Sequence, residues 1–144
     1  GLAEALMGHG VDILTGGTDN HLLVMDVAKT FRLTGRQAET ILREARLTVN
    51  RNSIPKDANG PWYTSGVRLG TPATTTLGMK EPQMREIASI IYDLLKGTQS
   101  ATDEKTGLPS RAKTHISPQL MQKAQARVAD VLMEFPLYPQ LIID

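Results

Sequence analysis

An arginine lies in a short extended segment between two glycines, at Arg68 in the run Thr-Ser-Gly-Val-Arg-Leu-Gly-Thr-Pro-Ala (64–73). The flanking glycines leave room for a ligand to approach the backbone. A guanidinium can hold a carboxylate through two parallel charge-assisted hydrogen bonds, which lysine cannot reproduce. The pattern suggests a carboxylate clamp. An edge-strand arginine that faces solvent or pairs with a nearby acid would show the same pattern, and the residues alone favour that second interpretation.

The stretch from residue 50 to residue 65 is predicted to be a long loop, since it contains Pro55 and shows little periodicity of either kind. Structureless loops longer than about 12 residues are uncommon inside compact domains and tend to be functional or disordered. Trp62, the only tryptophan, follows several amide and carboxylate side chains, and this combination suits a planar polar ligand. An ordinary connector whose tryptophan fills the core is the alternative, and composition alone slightly favours it. The polar residues are Asn50, Asn52, Asp57 and Asn59.

Other catalytic patterns are weak. The run from Gly16 to His21 could form a phosphate nest or an Asp and His pair, but its glycine spacing is not that of a P-loop and no helix is predicted directly after it. A hairpin turn explains this run more simply. The histidines at positions 9, 21 and 115 show no metal-ligand spacing, and a nucleophilic triad has no candidates.

The composition fits one domain, because 144 residues with 40% hydrophobic content can supply a compact core. The formal charge of +1 gives no argument for binding nucleic acid or an anionic membrane. No apolar run approaches the roughly 20 residues that span a bilayer, so a soluble protein is expected. The lack of cysteine excludes disulfides and fits a reducing compartment, with the cytoplasm as the default. The first residues lack an initiator methionine and are typical of the end of a helix, which suggests a piece of a longer protein.

The elements that must position these residues can also be predicted. Short apolar segments bounded by turn residues indicate strands at 11–14, 21–27, 47–49 and 67–69. Capping residues and apolar stripes of period 3.6 predict helices that begin at Thr34, Pro82 and Pro118. The stretch 97–116 is rich in small polar residues and is predicted to be a flexible, poorly ordered excursion. Together these elements predict an α+β two-layer fold, with a small mixed or antiparallel sheet and helices on one face.

The chain resembles the C-terminal small domain of the serine hydroxymethyltransferase family, which belongs to the fold-type I pyridoxal-phosphate enzymes. The resemblance is carried by five blocks that occur in the family's order and cover most of the chain. They are Gly-Gly-Thr-Asp-Asn-His (16–21), Leu-Thr-Gly-Arg-Gln-Ala-Glu (33–39), Thr-Val-Asn-Arg-Asn-Ser-Ile-Pro (48–55), Thr-Ser-Gly-Val-Arg-Leu-Gly-Thr-Pro-Ala (64–73) and Phe-Pro-Leu-Tyr (135–138). The third and fourth blocks are specific. The stretch 97–116 is longer than the family's pattern and resembles an insertion.

The resemblance implies an enzyme that uses pyridoxal phosphate to move the hydroxymethyl carbon of serine to tetrahydrofolate, leaving glycine. It reverses the interpretation of Arg68, which matches the family's arginine for the substrate carboxylate. Asn52 and the segment Gly60-Pro61-Trp62 match folate-binding positions. Gly60 and Trp62 depart from the family's residue types there, so contacts through the backbone are expected. The family also implies a homodimer for the parent protein, while the balanced charge predicts no nucleic-acid or membrane partner.

The family attaches its cofactor through a lysine in a threonine-rich segment that ends His-Lys, and this chain has no such segment. A lysine with that role also needs a pocket that lowers its pKa. The chain alone is therefore predicted to be catalytically inactive. Two alternatives stay open. One is the C-terminal domain of another fold-type I enzyme, such as an aminotransferase, against which the loop 50–62 argues. The other is a stand-alone module that binds or dimerises through apolar helix stripes, although such stripes are more often core.

Overall fold

A computed structural model of the chain describes residues 1–17 and 21–136. The helices are α1 (Leu2–Gly8), α2 (Val27–Phe31), α3 (Gly35–Glu44), α4 (Gly60–Tyr63), α5 (Pro72–Thr76), α6 (Glu81–Lys96) and α7 (Pro118–Glu134). The strands are β1 (Leu22–Asp26), β2 (Asn50–Asn52), β3 (Gly66–Gly70), β4 (Gln99–Thr102) and β5 (Pro109–His115). Within these two ranges, no helix combines the length and the apolar character needed to cross a membrane.

The main sheet has three antiparallel strands in the order β1-β3-β2, which makes β3 the central strand. Side chains alternate between the two faces of a strand. One face carries buried aliphatic residues and meets the core, and the other carries Arg68 and Asn50, both of which are exposed. The buried residues of the inner face are Leu23, Met25, Val67 and Leu69. An antiparallel sheet of this kind is one of the two forms that the sequence predicts.

The helices form the second layer. α6 supplies six buried residues and contacts α1, α3 and α7, while α2 and α3 contact the sheet. Its apolar stripe and the proline in its first turn are confirmed, and the helix ends at Lys96, directly before Gly97. The start of α7 is confirmed as well, because Ser117 Oγ accepts a hydrogen bond from the Leu120 amide at 3.1 Å. The structure thus confirms an α+β two-layer fold.

The capping box of α3 is also confirmed. The Gln37 amide donates to Thr34 Oγ1 at 3.2 Å, and the Thr34 amide donates to Gln37 Oε1 at 2.9 Å. These reciprocal bonds satisfy two amides that the first turn of a helix leaves without partners. The helix buries the face that contains Ala38, Ile41 and Leu42.

Several predicted strands have different bounds in the structure. Residues 47–49 are not a strand, since β2 begins at Asn50. In the segment 11–14 only Ile13 pairs, through an isolated bridge to Met25, and a 3-10 turn follows at Leu14–Gly16. Strand β1 ends at Asp26, because the Asp26 carboxylate accepts from the Lys29 amide at 2.9 Å and begins α2. Residues 18–20 of the predicted turn and residues 137–138 of the last family block lie outside the described residues.

The stretch 97–116 forms a β-hairpin, whereas the sequence predicts a poorly ordered excursion. Strands β4 and β5 pair antiparallel, with Gln99 opposite His115. Asp103 closes the turn, because its Oδ1 accepts from the amides of Lys105 at 2.8 Å and Thr106 at 3.2 Å. Small polar residues are tolerated here because hydrogen bonds, and not a buried apolar face, hold the hairpin. The loop 50–65 is likewise partly regular, since it contains β2 and α4.

Candidate functional site

Arg68 lies in the middle of the central strand. Its main chain is opposite Val24 of β1 on one side and Asn50 of β2 on the other, so its backbone is fixed on both sides. The side chain is exposed on the outer face of the sheet. Within residues 1–17 and 21–136 the guanidinium has no hydrogen bond or ion pair. Arg68 is therefore not an edge-strand residue, and it is not paired with an acid of this part of the chain.

Gly66 is required by the protein's own packing, whereas Gly70 only lies close to a flexible side chain. A Cβ atom at Gly66 would lie 2.6 Å from the Asn52 carbonyl oxygen and 2.9 Å from Ile54 Cγ2. A Cβ atom at Gly70 would lie 3.1 Å from Leu22 Cδ2. The sequence alone suggests that these glycines leave room for a ligand. In the structure they allow β1 and the segment after β2 to approach β3 closely.

Asn52 lies on the same face of the sheet as Arg68. It is opposite Gly66, and because Gly66 and Arg68 are two residues apart on β3, both positions face outwards. The Asn52 side chain donates from Nδ2 to the Ser53 carbonyl at 2.8 Å. Its Oδ1 has no donor among the residues that the structure describes, so this oxygen can still accept a hydrogen bond.

Asp57 organises the loop between β2 and β3. Its Oδ2 accepts from the amides of Ile54 at 3.2 Å and Ser65 at 2.8 Å, and its Oδ1 accepts from the Asn59 amide at 2.9 Å and the Ser65 hydroxyl at 2.6 Å. Burial acts to raise the pKa of Asp57, but these hydrogen bonds favour the ionised form and hold the pKa below its usual range. The carboxylate therefore joins both ends of the loop and fixes α4 relative to β3.

The role of Asp57 was not recognised from the sequence, which offered the residue only as a polar group. A local signal does exist. An aspartate two residues before Asn59 in a turn-rich segment is typical of a side chain that bonds its own backbone two residues on. The contact between Asp57 and Ser65 is longer in range and has no such signal.

Trp62 does not fill the core, since 59% of the residue is exposed. Its ring lies under the guanidinium groups of Arg51, at 4.9 Å from Cζ to the ring centroid, and Arg36, at 5.5 Å. Arg51 alternates with Asn52 along β2 and so points to the opposite face, towards α3. The structure thus brings Arg68 and Asn52 to one face of the sheet, whereas the Trp62 ring contacts side chains on the other.

Arginines are the residues around α4 that sequence reasoning missed. Arg111 Cζ lies 4.4 Å from the centroid of the Tyr63 ring, and Arg36 lies over the same ring at 5.9 Å. Arg51 also forms an ion pair with Glu39, with 3.5 Å between Nη1 and Oε2. No spacing in the sequence could indicate this cluster, because α3, β2 and β5 each contribute one arginine.

A family model described as serine hydroxymethyltransferase matches residues 1–91, which include Arg68, Asn52 and α4. The chain belongs to the serine hydroxymethyltransferase family. This membership decides against the alternative of a different fold-type I enzyme. The hairpin β4–β5 lies outside the residues that the model matches.

Curated serine hydroxymethyltransferases align along nearly the whole chain. The protein from Cutibacterium acnes is 47% identical over 140 residues, which are 97% of this chain and 28% of that protein. The proteins from Chlamydia muridarum and Chlamydia felis are 46% and 43% identical over 143 residues, which are 99% of this chain and 28% of those proteins. The chain therefore spans 28% of the length of these relatives.

The lysines of this chain do not fit the attachment of pyridoxal phosphate that the family implies. A lysine with that role needs an enclosing pocket that lowers its pKa. All seven lysines are exposed. Lys29, for example, pairs with Asp12 at 3.0 Å on the surface, a contact that raises its pKa through the hydrogen bond and the charge of Asp12. The described residues also contain no group of three histidine or acidic side chains that could hold a metal ion.

Proposed function

We propose that this chain is the C-terminal small domain of a pyridoxal-phosphate-dependent serine hydroxymethyltransferase, which interconverts serine and glycine with tetrahydrofolate as the one-carbon acceptor. Family membership supports the reaction. The observation that carries the role of this domain is Arg68, an exposed guanidinium on the central strand that has no partner among the described residues. A buried or ion-paired arginine could not bind a substrate without losing its existing contacts.

Arg68 binds the carboxylate of serine or glycine. The guanidinium offers two parallel N–H groups that match the two carboxylate oxygens. Because the strand beneath it is bonded on both sides, binding does not have to order the main chain. Holding one end of the amino acid orients the bond that breaks, and fixed orientation accounts for a large part of many enzymatic accelerations. The cofactor, when bound in the parent protein, supplies the electron sink.

Asn52 and the backbone of Gly60-Pro61-Trp62 bind tetrahydrofolate in this proposal. Asn52 Oδ1 can accept a hydrogen bond from a ring N–H of the folate, since no described residue donates to this oxygen. The Trp62 ring is engaged by Arg36 and Arg51, which supports a role for the main chain of this segment and not for the ring.

The remaining catalytic groups belong to the part of the protein outside this chain. We propose that the chain alone is inactive, since none of its lysines has an enclosing pocket. The parent protein is proposed to be a cytoplasmic homodimer, as the family resemblance and the cysteine-free composition suggest. Its partners are serine, glycine and tetrahydrofolate, and the balanced charge of this chain favours neither nucleic acid nor a membrane surface.

The carboxylate clamp is tested with Arg68→Lys in the full-length parent enzyme. Lysine keeps the charge but loses the two-pronged contact, so kcat/KM for serine should fall by about 10- to 100-fold, with the KM for tetrahydrofolate unchanged. Arg85→Lys is the control, because Arg85 is an exposed arginine on α6. A kcat/KM for serine within about twofold of the wild-type value in Arg68→Lys would show that Arg68 is not the clamp.

The folate site is tested separately with Asn52→Ala in the same enzyme. Losing one hydrogen bond to the ligand should raise the KM for tetrahydrofolate by about fivefold and leave the KM for serine unchanged. Gln122→Ala, which removes an exposed amide on α7, should change neither constant. Equal tetrahydrofolate KM values in the Asn52→Ala and wild-type enzymes would remove Asn52 from the site.

A further inference from the structure

Helix α4 is a single turn of four residues, none of which is buried. The hydrophobic effect scales with the apolar area removed from water, so it contributes little to the placement of this helix. A single helical turn is also unstable by itself, because forming the first turn fixes several residues for one hydrogen bond. Contacts from outside the helix must therefore hold the main chain at Gly60–Tyr63 in place.

Arg111 of β5 supplies such contacts at both ends of α4. Its Nη2 donates to the Asn59 carbonyl oxygen at 3.0 Å and lies 3.2 Å from Asn59 Oδ1, directly before the helix. Its guanidinium lies over the ring of Tyr63, the last residue of the helix, with 4.4 Å between Cζ and the ring centroid. One side chain thus contacts both ends of the turn, through a charged hydrogen bond at its start and a cation–π contact at its end.

The main chain beneath Arg111 is itself anchored to α3. The Thr34 hydroxyl donates to the Arg111 carbonyl oxygen at 2.7 Å. The side-chain nitrogen Nε2 of Gln37 donates to the carbonyl oxygens of Ser110 at 2.7 Å and Lys113 at 3.1 Å. Gln37 is only 1% exposed, so these bonds are shielded from competition with water. Since the strand is fixed in this way, Arg111 only has to order its side chain to reach α4.

We infer that Arg111 is a positioning residue for the folate site: the hairpin β4–β5 holds α4 through Arg111, and α4 presents its main chain to tetrahydrofolate. This inference rests on the proposed function, which assigns the main chain of Gly60-Pro61-Trp62 to folate binding. Arg111 acts through α4 and does not itself touch the ligand. The hairpin lies outside the residues that the family model matches. The contacts of Arg111 with α4 therefore add a contribution from a separate part of the chain.

The test compares Arg111→Ala, Arg111→Lys and Lys113→Ala in the full-length parent enzyme. Lys113 is the matched control, because it is an exposed cation on the same face of β5, two residues further on. The Arg111→Ala hairpin should stay docked, since Thr34 and Gln37 bond to main-chain oxygens and not to the Arg111 side chain. Two quantities are measured: amide hydrogen exchange of the peptide covering 59–64, and the separate KM values for tetrahydrofolate and serine.

Arg111→Ala should speed amide exchange in the peptide 59–64 and raise the KM for tetrahydrofolate by about three- to tenfold, with kcat and the KM for serine unchanged. Arg111→Lys should recover part of this loss, because its ammonium can still donate to Asn59 but cannot stack on Tyr63 as a plane. Lys113→Ala should match the wild type in both measurements.

Unchanged exchange in the peptide 59–64, or an unchanged KM for tetrahydrofolate, in Arg111→Ala would overturn the inference. The inference would also be overturned if exchange in β4 and β5 became faster to the same extent as in the peptide 59–64. Arg111 would then support the hairpin and not α4. Asn52→Ala separates this idea from the proposed function. That variant tests the folate site without changing the contacts of Arg111 with α4, whereas the exchange measurement on Arg111→Ala tests those contacts in the absence of folate.

Discussion

A side chain that holds a carboxylate in one orientation needs a fixed main chain beneath it. Arg68 has one, because β3 is hydrogen-bonded to a neighbouring strand on each side. Sites built on strands hold their geometry more closely than sites built on loops. The flanking Gly66 completes this arrangement, since any Cβ atom there would collide with Asn52 and Ile54 and push β2 away from β3. We therefore regard Gly66 as a residue that keeps the sheet closed around Arg68.

At the same scale, Asp57→Asn is predicted to destabilise the 144-residue chain. An amide keeps one acceptor oxygen but places an NH2 group against main-chain donors, so the free energy of unfolding at neutral pH should fall by about 1–3 kcal/mol. Urea unfolding of both proteins measures this difference. Asp130→Asn is the control, because Asp130 is exposed on α7, and it should unfold like the wild type.

The Asp57 effect should also depend on pH. The folded-state pKa of Asp57 is lowered, so its contribution is present above the unfolded pKa of about 3.9 and is lost as the pH falls through the lower folded value. The stability difference between wild type and Asp57→Asn should therefore shrink in acid. A difference that stays constant or grows as the pH falls below about 4 would contradict this account of the loop.

At the scale of elements, Gln37 joins the hairpin to α3. It caps its own helix through Thr34 and donates to two carbonyl oxygens of β5, at Ser110 and Lys113. Gln37→Leu keeps a similar volume but leaves those oxygens without a donor, so we expect a loss of about 1–3 kcal/mol in stability. Amide exchange over 99–115 should report the loss directly. Thr40→Ala, an exposed position on the same helix, should leave the hairpin protected. Equal protection in Gln37→Leu would show that other contacts dock the hairpin.

Arg127 joins α7 to α6 in a comparable way. Its Nε, Nη1 and Nη2 donate to Glu86 at 2.7 Å, Asp93 at 2.8 Å and Ser89 at 2.9 Å. The hydrogen bond from Arg127 lowers the pKa of Glu86. Lysine cannot make all three contacts, so Arg127→Lys should lower the free energy of unfolding by about 0.5–1 kcal/mol at low salt, and by less at high salt.

Urea unfolding of Arg127→Lys at two salt concentrations checks this prediction, with Lys123→Ala as the control on the same helix. Because the folded pKa of Glu86 is lowered, the contribution of this contact is present above the ordinary glutamate pKa of about 4.3 and is lost at lower pH. A loss that is independent of both salt and pH would point to altered packing of Arg127 and not to its charge.

Local signals in the sequence are sufficient to predict where the longer helices begin. The capping box at Thr34 and Gln37, the proline in the first turn of α6 and the serine before α7 each act within one turn of chain, and each helix begins within one residue of its predicted start. The hairpin could not be predicted in this way. Its polar residues are held by Gln37 and Thr34, which are distant in sequence, and no composition signal reports such partners.

In the candidate site, too, some features have a local signal in the sequence and others depend on residues that are distant in the chain. Arg68 and its extended segment could be located from the sequence, but the lack of an ion-pair partner depends on where every acid of the described chain lies. Composition alone predicts Trp62 in the core, but the structure places it on the surface, where the guanidinium groups of two arginines lie over its ring. The contact between Arg111 and Asn59 joins two segments that are distant in the sequence, and no local sequence pattern in either segment predicts it.

At the scale of the molecule, the chain presents one covered and one open face of its main sheet. The covered face packs on the helices, and the open face carries Arg68, Asn50 and the partly exposed Leu22. The relatives are longer, since the aligned residues are 28% of their length. We propose that the substrate lies between this open face and the rest of the parent protein. On this account the domain supplies binding and orientation, while the cofactor and its lysine come from elsewhere.

The most direct test of the central claim is the affinity of the full-length parent enzyme for glycine, measured by titration calorimetry with Arg68 and with alanine in its place. Glycine contains little besides an amino group and a carboxylate, so a lost carboxylate contact should dominate the result. Arg68→Ala should raise the Kd for glycine by about 100-fold, which corresponds to roughly 2.7 kcal/mol of a charged, two-pronged contact. A Kd within about twofold of the wild-type value would contradict the assignment of Arg68 as the carboxylate clamp.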